Sequence, residues 1–152
     1  MNENIDAVHG SGPNDVWLVG AQGTTLRWNG STLSVVASGT SSELRGVWAF
    51  APNDAVAVGQ DIILRWNGTQ WNGSAMGSGK VWTDVFGTNT NDIWVLGHSQ
   101  SEGRSIVLRW NGVLWKETEL RAFMNAFGSI SGDSTGPQII TGAFGSILRR
   151  RP

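Results

Sequence analysis

Residues 26–30 read Leu-Arg-Trp-Asn-Gly, and the same five residues return at 64–68 and at 108–112. A fourth version begins at Leu148 and reads Leu-Arg-Arg-Arg-Pro. Ahead of each copy lies a short apolar run that ends in glycine: DVWLVG at Gly20, DAVAVG at Gly59, DIWVLG at Gly97 and QIITG at Gly142. Gly20 to Gly59 spans 39 residues, Gly59 to Gly97 spans 38, and Gly97 to Gly142 spans 45. A period near forty that covers almost the whole chain is first of all a statement about architecture. Other columns keep step: Ile5, Leu44, Trp82 and Phe123; Val8, Val47, Val85 and Ala126; Asp15, Asp54 and Asp92; Leu26, Leu64, Leu108 and Leu148.

Each period reads as four short strands. The first is IDAVHG, LRGVWAF, WTDVFG or FMNAFG, and the second is the glycine-terminated run. TTLRW, IILRW, IVLRW and SILRR form the third, and TLSVV, TQWNG and VLWKE the fourth. Turn formers precede strand two at Pro13-Asn14-Asp15, Pro52-Asn53-Asp54 and Thr90-Asn91-Asp92. Asn-Gly after strand three, at 29–30, 67–68 and 111–112, predicts type I′ hairpins with two left-handed residues. LRWNG is thus a strand plus the turn that folds the next strand back on it. Strand two is apolar on both faces, as expected of a strand sandwiched between neighbouring sheets.

Four antiparallel strands per repeat predict an all-β propeller of about four blades, in repeats of about 1–39, 40–77, 78–117 and 118–152 within a single domain. The fourth repeat has arginine at 150 and 151 and proline at 152 where the others continue into a turn and an outer strand. Its blade is expected to lack that strand. Two closures follow: two copies completing one eight-bladed ring, or a compact four-bladed monomer.

Composition narrows the function. Formal net charge is −1, from 11 Lys and Arg against 12 Asp and Glu, which favours neither nucleic acid nor an anionic membrane. No apolar run reaches the ~20 residues of a membrane span. The first residues, MNENIDAV, show no signal peptide, and the compartment stays open, an extracellular or cell-surface one included. With no cysteine there is neither a disulfide framework nor a thiolate metal site, and with no tyrosine a sialidase-type nucleophile is excluded. His9 and His98 stand in different columns, and no phosphate loop, HExxH or EF-hand spacing occurs. No enzyme, metal or cofactor is expected. Three sequons occur, at Asn29, Asn67 and Asn72; the first two follow from the Asn-Gly turn, and together they say little about glycosylation.

The inner strand ELRGVWAF, the VWLVG-type strand, the LRW strand and the tryptophans of Gln70-Trp71 and Leu114-Trp115 resemble bacterial and fungal tectonin-type propellers, a family with several lectin members. Ala55-Val56-Ala57 departs from that pattern, and the Asp-box of sialidase propellers is absent. The resemblance implies a non-catalytic module that binds carbohydrate at blade junctions. The alternative is a protein-interaction or structural scaffold with no small ligand; hydrolysis by turn carboxylates is a third, weaker reading.

Trp28, Trp66 and Trp110, Trp71 and Trp115, and Trp17 and Trp94 share columns, as packing residues would. The Arg27, Arg65, Arg109 and Arg149 column is expected to pair with the aspartates of strand two. Residues that break the repeat are the ligand candidates: Trp48, Trp82, and His98, Glu102 and Arg104 in an enlarged loop of the third repeat. Ser131-Gly132-Asp133-Ser134-Thr135-Gly136 reads as a second insertion. The expected partners are glycans and a second copy of the chain.

Overall fold

The computed structural model describes residues 3–118, 127–142 and 147–149. Phe123, Ala126, Arg150, Arg151 and Pro152 lie outside the described residues, as does the side chain of Arg149. Four separate antiparallel sheets form, each from one repeat and each in sequence order. The first holds β1 (Ile5–Gly12), β2 (Asp15–Gly20), β3 (Thr25–Trp28) and β4 (Leu33–Val35). The second holds β5 (Leu44–Ala51), β6 (Asp54–Gly59), β7 (Ile62–Trp66) and β8 (Trp71–Ala75). The third holds β9 (Lys80–Asn89), β10 (Asp92–Ser99), β11 (Arg104–Trp110) and β12 (Trp115–Thr118). The described part of the fourth holds β13 (Phe127–Asp133), β14 (Gly136–Gly142) and β15 (Ile147–Arg149). Apart from one 3-10 turn, Ala21–Gly23, the described secondary structure is β. The chain has the β-propeller fold, with each sheet a blade. It divides into two compact units, Met1–Ser78 and Gly79–Pro152, so that the break falls at a repeat boundary and each unit carries two blades.

The pairing register corrects the column assignment of the fourth repeat. Ile5 lies opposite Gly20, Leu44 opposite Gly59, Trp82 opposite Gly97 and Phe127 opposite Gly142. Phe127, not Phe123, therefore occupies the Trp82 position, and Ile130 rather than Ala126 stands in line with Val8, Val47 and Val85. The FG pair at 127–128 looks like Phe86-Gly87, and that likeness invites a four-residue slip. Register removes it, because strand one must reach its β-bulge at a fixed distance from the strand-two glycine. At that bulge the strand-one backbone crosses close over strand two. A Cβ on Gly20 or Gly59 would sit 1.9 Å from the carbonyl oxygen of Asn4 or Glu43.

With the slip removed, the 131–136 stretch is no insertion. Strand β13 runs through to Asp133, and Asp133 Oδ1 accepts hydrogen bonds from the Thr135 amide and hydroxyl in a tight turn. The added length lies in the third blade. Gly97 to Leu108 spans 11 residues, whereas Gly20 to Leu26 spans 6 and Gly59 to Leu64 spans 5. Much of it is strand rather than loop, since β10 continues through Ser99 and β11 begins at Arg104.

The Asn-Gly turns form at the expected places with different chemistry. Only the glycines are left-handed, with φ of 93° at Gly30, 97° at Gly68 and 92° at Gly112. Each asparagine works through its side chain. Asn29 Oδ1 accepts from the amides of Ser31 and Thr32, Asn67 Oδ1 from Thr69 and Gln70, and Asn111 Oδ1 from Val113 and Leu114. A side-chain oxygen that replaces a backbone acceptor stabilises the turn without forcing asparagine to positive φ.

Within the first unit the blades pack face to face. Trp17 and Val19 of the first blade meet Leu44, Val47, Ala49, Ala55, Ala57, Leu64, Trp66 and Trp71 of the second. The Trp17 ring centroid lies 4.9 Å from Trp66 and 4.8 Å from Trp71, in tilted and edge-on geometry favoured by aromatic quadrupoles. Residues paired across strands share a face, so the blade turns Ala55, Ala57, Leu64 and Trp66 one way and Val56, Val58 and Ile63 the other. Both sets are buried.

Candidate functional site

The sequence-predicted residues fall in three settings. Trp48 is half-buried on β5, and its ring stacks on His9 with centroids 3.9 Å apart and planes at 22°. His9 Nδ1 accepts a hydrogen bond from the Ala49 amide at 3.0 Å, which requires the neutral imidazole with its proton on Nε2. Burial lowers the His9 pKa from its ordinary value, because charging the ring would cost solvation. The pair joins the first blade to the second and leaves Trp48 only partly open.

Trp82 is 1% exposed, so its ring has no face to offer a ligand. It fills the position of Leu44 in the second blade, one residue along the pairing from His98, which lies opposite Val81. The Nε1 of Trp82 and the Nδ1 of His98 are buried without a hydrogen-bond partner among the described residues.

Glu102 and Arg104 sit at the exposed end of the β10–β11 hairpin. Arg104 bonds to both Glu102 and Glu117, and those two hydrogen bonds, Glu117 first, raise its pKa further above an already high range. The Glu102 amide is held by Ser99 Oγ at 3.2 Å, which fixes the turn. A recess of about 500 Å³ lies farther along this sheet, lined by Arg109, Asn111, Lys116, Glu117 and Thr118. The third-blade candidates thus share one sheet, while Trp48 belongs to the other unit.

Three of the repeated arginines pair with the strand-two aspartates, as expected. Arg27 pairs with Asp15 at 2.8 Å, Arg65 with Asp54 at 2.9 Å and Arg109 with Asp92 at 2.6 Å. Asp15 is buried, and Arg27 also donates to the Pro52 carbonyl of the next blade at 2.7 Å. Its guanidinium lies 5.2 Å from the Trp17 centroid and 5.6 Å from Trp66, where cation–π attraction adds to the ion pair. Trp28 and Trp66 donate their indole N–H to the carbonyls of Pro13 and Pro52, which ties strand three to the turn before strand two.

One feature escaped sequence reasoning. A groove of about 510 Å³ lies at one end of the first blade, between the 3-10 turn with the start of β3 and the segment after β4. Val35, Val36 and Ala37 give it an apolar wall, and Ser38, Thr40 and Thr25 contribute hydroxyls. Strand β4 pairs only with β3, so its other edge carries no strand of its own sheet. Ser38 Oγ is turned inward to the Thr40 carbonyl at 3.2 Å, and Thr25 Oγ1 to the Val36 carbonyl. The only signal in the sequence is the polar run ASGTSSE between strand four and the next repeat, which reads as a plain connection.

No family model matches the chain, and no curated protein matches it. Among solved structures it is similar to YCF48 bound to a D1 peptide, with 15% identity and a TM-score of 0.65 over 83% of this chain and 43% of that one. The chain therefore spans less than half of that protein's length. At such identity the likeness concerns the fold alone, and it agrees with the blade architecture built above from register and packing.

Proposed function

We propose that this chain is a non-catalytic binding module that holds an extended polypeptide segment in the groove of its first blade. The observation that carries this reading is the groove itself. It combines an apolar wall, Val35, Val36 and Ala37, with the exposed Gly39 and Ser41, and it adjoins the end of β4, whose outer edge carries no strand of its own sheet. Strand addition to a sheet edge obtains affinity from backbone hydrogen bonds and specificity from such pockets. The peptide in the neighbour's structure supports the class of ligand, though not its sequence.

The tectonin-like, carbohydrate-binding alternative rests on Trp48, the half-open member of the two tryptophans first singled out. With one ring face against His9, it has at most its other face for a sugar. The two readings separate in one experiment: titration of tryptophan fluorescence with a random-sequence peptide library and, in parallel, a glycan array. Ala37 is exposed in the groove, so Ala37→Arg fills it at little cost to folding. Saturable peptide binding lost in Ala37→Arg supports the peptide reading. Binding to glycans alone, lost in Trp48→Ala and kept in Ala37→Arg, overturns it.

A further inference from the structure

Each blade has two faces with different duties. One face meets the preceding blade; in the second blade it carries Val47, Ala57, Leu64 and Trp66 and is buried by the first. The same columns are buried elsewhere: Val85 is 2% exposed, Val95 0%, Leu108 7%, Ile130 5% and Ile140 6%. In the first blade those columns hold Val8, Leu18, Leu26 and Trp28, with Leu33 alongside on β4. Here the face is open at Val8 and Leu33, on the first and last strands, while Leu26 between them is 7% exposed. Val8 is 63% exposed and Leu33 51%, although the residues are as apolar as their buried counterparts.

The other face meets the following blade. In the first blade it presents Trp17 and Val19, both 0% exposed, and Thr25 at 1%. In the fourth blade the corresponding columns hold Ile139, Thr141 and Ile147, and Ile139 is 42% and Ile147 68% exposed. Among the described residues, the first blade thus exposes Val8 and Leu33 on one kind of face, and the fourth exposes Ile139 and Ile147 on the other. Scattered exposed apolar residues need no explanation, but Val8, whose counterparts Val47, Val85 and Ile130 are all buried, does.

We infer that the open face of the first blade is covered by the fourth-blade face of a second copy of this chain. The occupant is identified by the repeat itself: at the junction within the first unit, the partner of the Val47 face is a blade surface carrying Trp17 and Val19, and the one uncovered surface of that kind among the described residues is the Ile139–Thr141–Ile147 face. The contact is heterologous, since each copy uses a different face. This surface gives the second copy expected from the sequence a place on named faces. Val35, which lines the peptide groove, pairs with Leu26 and so lies on this same face, but the two readings are tested apart because Ala37→Arg leaves Val8 and Ile139 untouched.

The test is the mass of the full chain by sedimentation equilibrium across a concentration series, with Val8→Asp, Ile139→Asp and Val113→Asp beside it. Val113 is 78% exposed at the turn of the third blade and serves as the control. The expected result is a mass of twice 16.3 kDa for the parent and for Val113→Asp. Val8→Asp and Ile139→Asp should each weaken self-association by at least tenfold while keeping the parent far-UV circular dichroism. A parent chain that stays monomeric at its highest soluble concentration overturns the inference. So does a dimer that survives both face variants or is equally weakened by Val113→Asp.

Discussion

The two blade junctions described within units use the same repeat and fill it differently. In the first unit the junction is aromatic: Trp17, Trp66 and Trp71 meet edge to face, Arg27 lies over two of the rings, and His9 bridges to the Ala49 amide. In the second unit, between the third and fourth blades, a carboxylate takes the bridging part. Asp84 Oδ2 accepts from the Ser129 hydroxyl at 2.7 Å and the Ile130 amide at 2.9 Å, and its Oδ1 accepts from the Val85 amide. Ile130 and Ile140, both nearly buried, supply the apolar surface. The repeat pattern thus specifies where a blade must bury its face, while the means differ: ring area in one case, charge-assisted hydrogen bonds to backbone in the other.

That contrast can be broken by single substitutions. The largest effect is expected for Trp17→Ala, which removes a fully buried indole from three contacts and should cost about 3–5 kcal/mol in chemical denaturation. Hydrogen exchange should rise throughout β1–β8. A loss under ~1 kcal/mol would contradict the packing account. Next comes Asp84→Ala, which leaves the Ile130 amide without its acceptor and should cost about 1–3 kcal/mol, with faster exchange in β9 and β13. Asn29→Ala should be milder, about 0.5–1.5 kcal/mol, since the turn is exposed and its glycine keeps the left-handed conformation.

The smallest effect is one of pH and belongs to the first unit. His9 has a depressed pKa in the folded chain, so between its ordinary value of 6.5 and its folded value the unfolded chain binds more protons. Stability is therefore fully present above about pH 6.5 and falls as the pH is lowered through the folded pKa. His9→Gln, which can still offer an acceptor to Ala49, should flatten that dependence. An unchanged pH profile in the variant would show that the bridge is not the titrating element.

Much of this was legible in the residues. Strand two was bounded correctly in the first two repeats, three Asp–Arg pairs were anticipated, and Trp17, Trp66 and Trp71 of the tryptophan columns are buried packing residues. The failures share a physical cause: they depend on register and side-chain direction rather than residue type. Phe123 and Phe127 are chemically equal, and only the pairing of Phe127 with Gly142 separates them. Trp82 broke its column in size but not in burial, so an odd residue read as a ligand contact was a larger core residue. Asn-Gly was read through backbone angles when the asparagine side chain was the operative group. The groove of the first blade depends on how a polar segment returns past β4, which no local pattern announces.

The claim on which all of this rests is that successive repeats form separate sheets that meet through side chains. Nuclear Overhauser contacts in an isotope-labelled sample test it directly at β1 and β5. The structure predicts contacts between the Trp17 ring and the methyl groups of Leu44 and Val47, together with a hydrogen bond from the Ala49 amide to His9. Regular backbone-to-backbone contacts pairing β1 with β5 as neighbouring strands of one continuous sheet would contradict it.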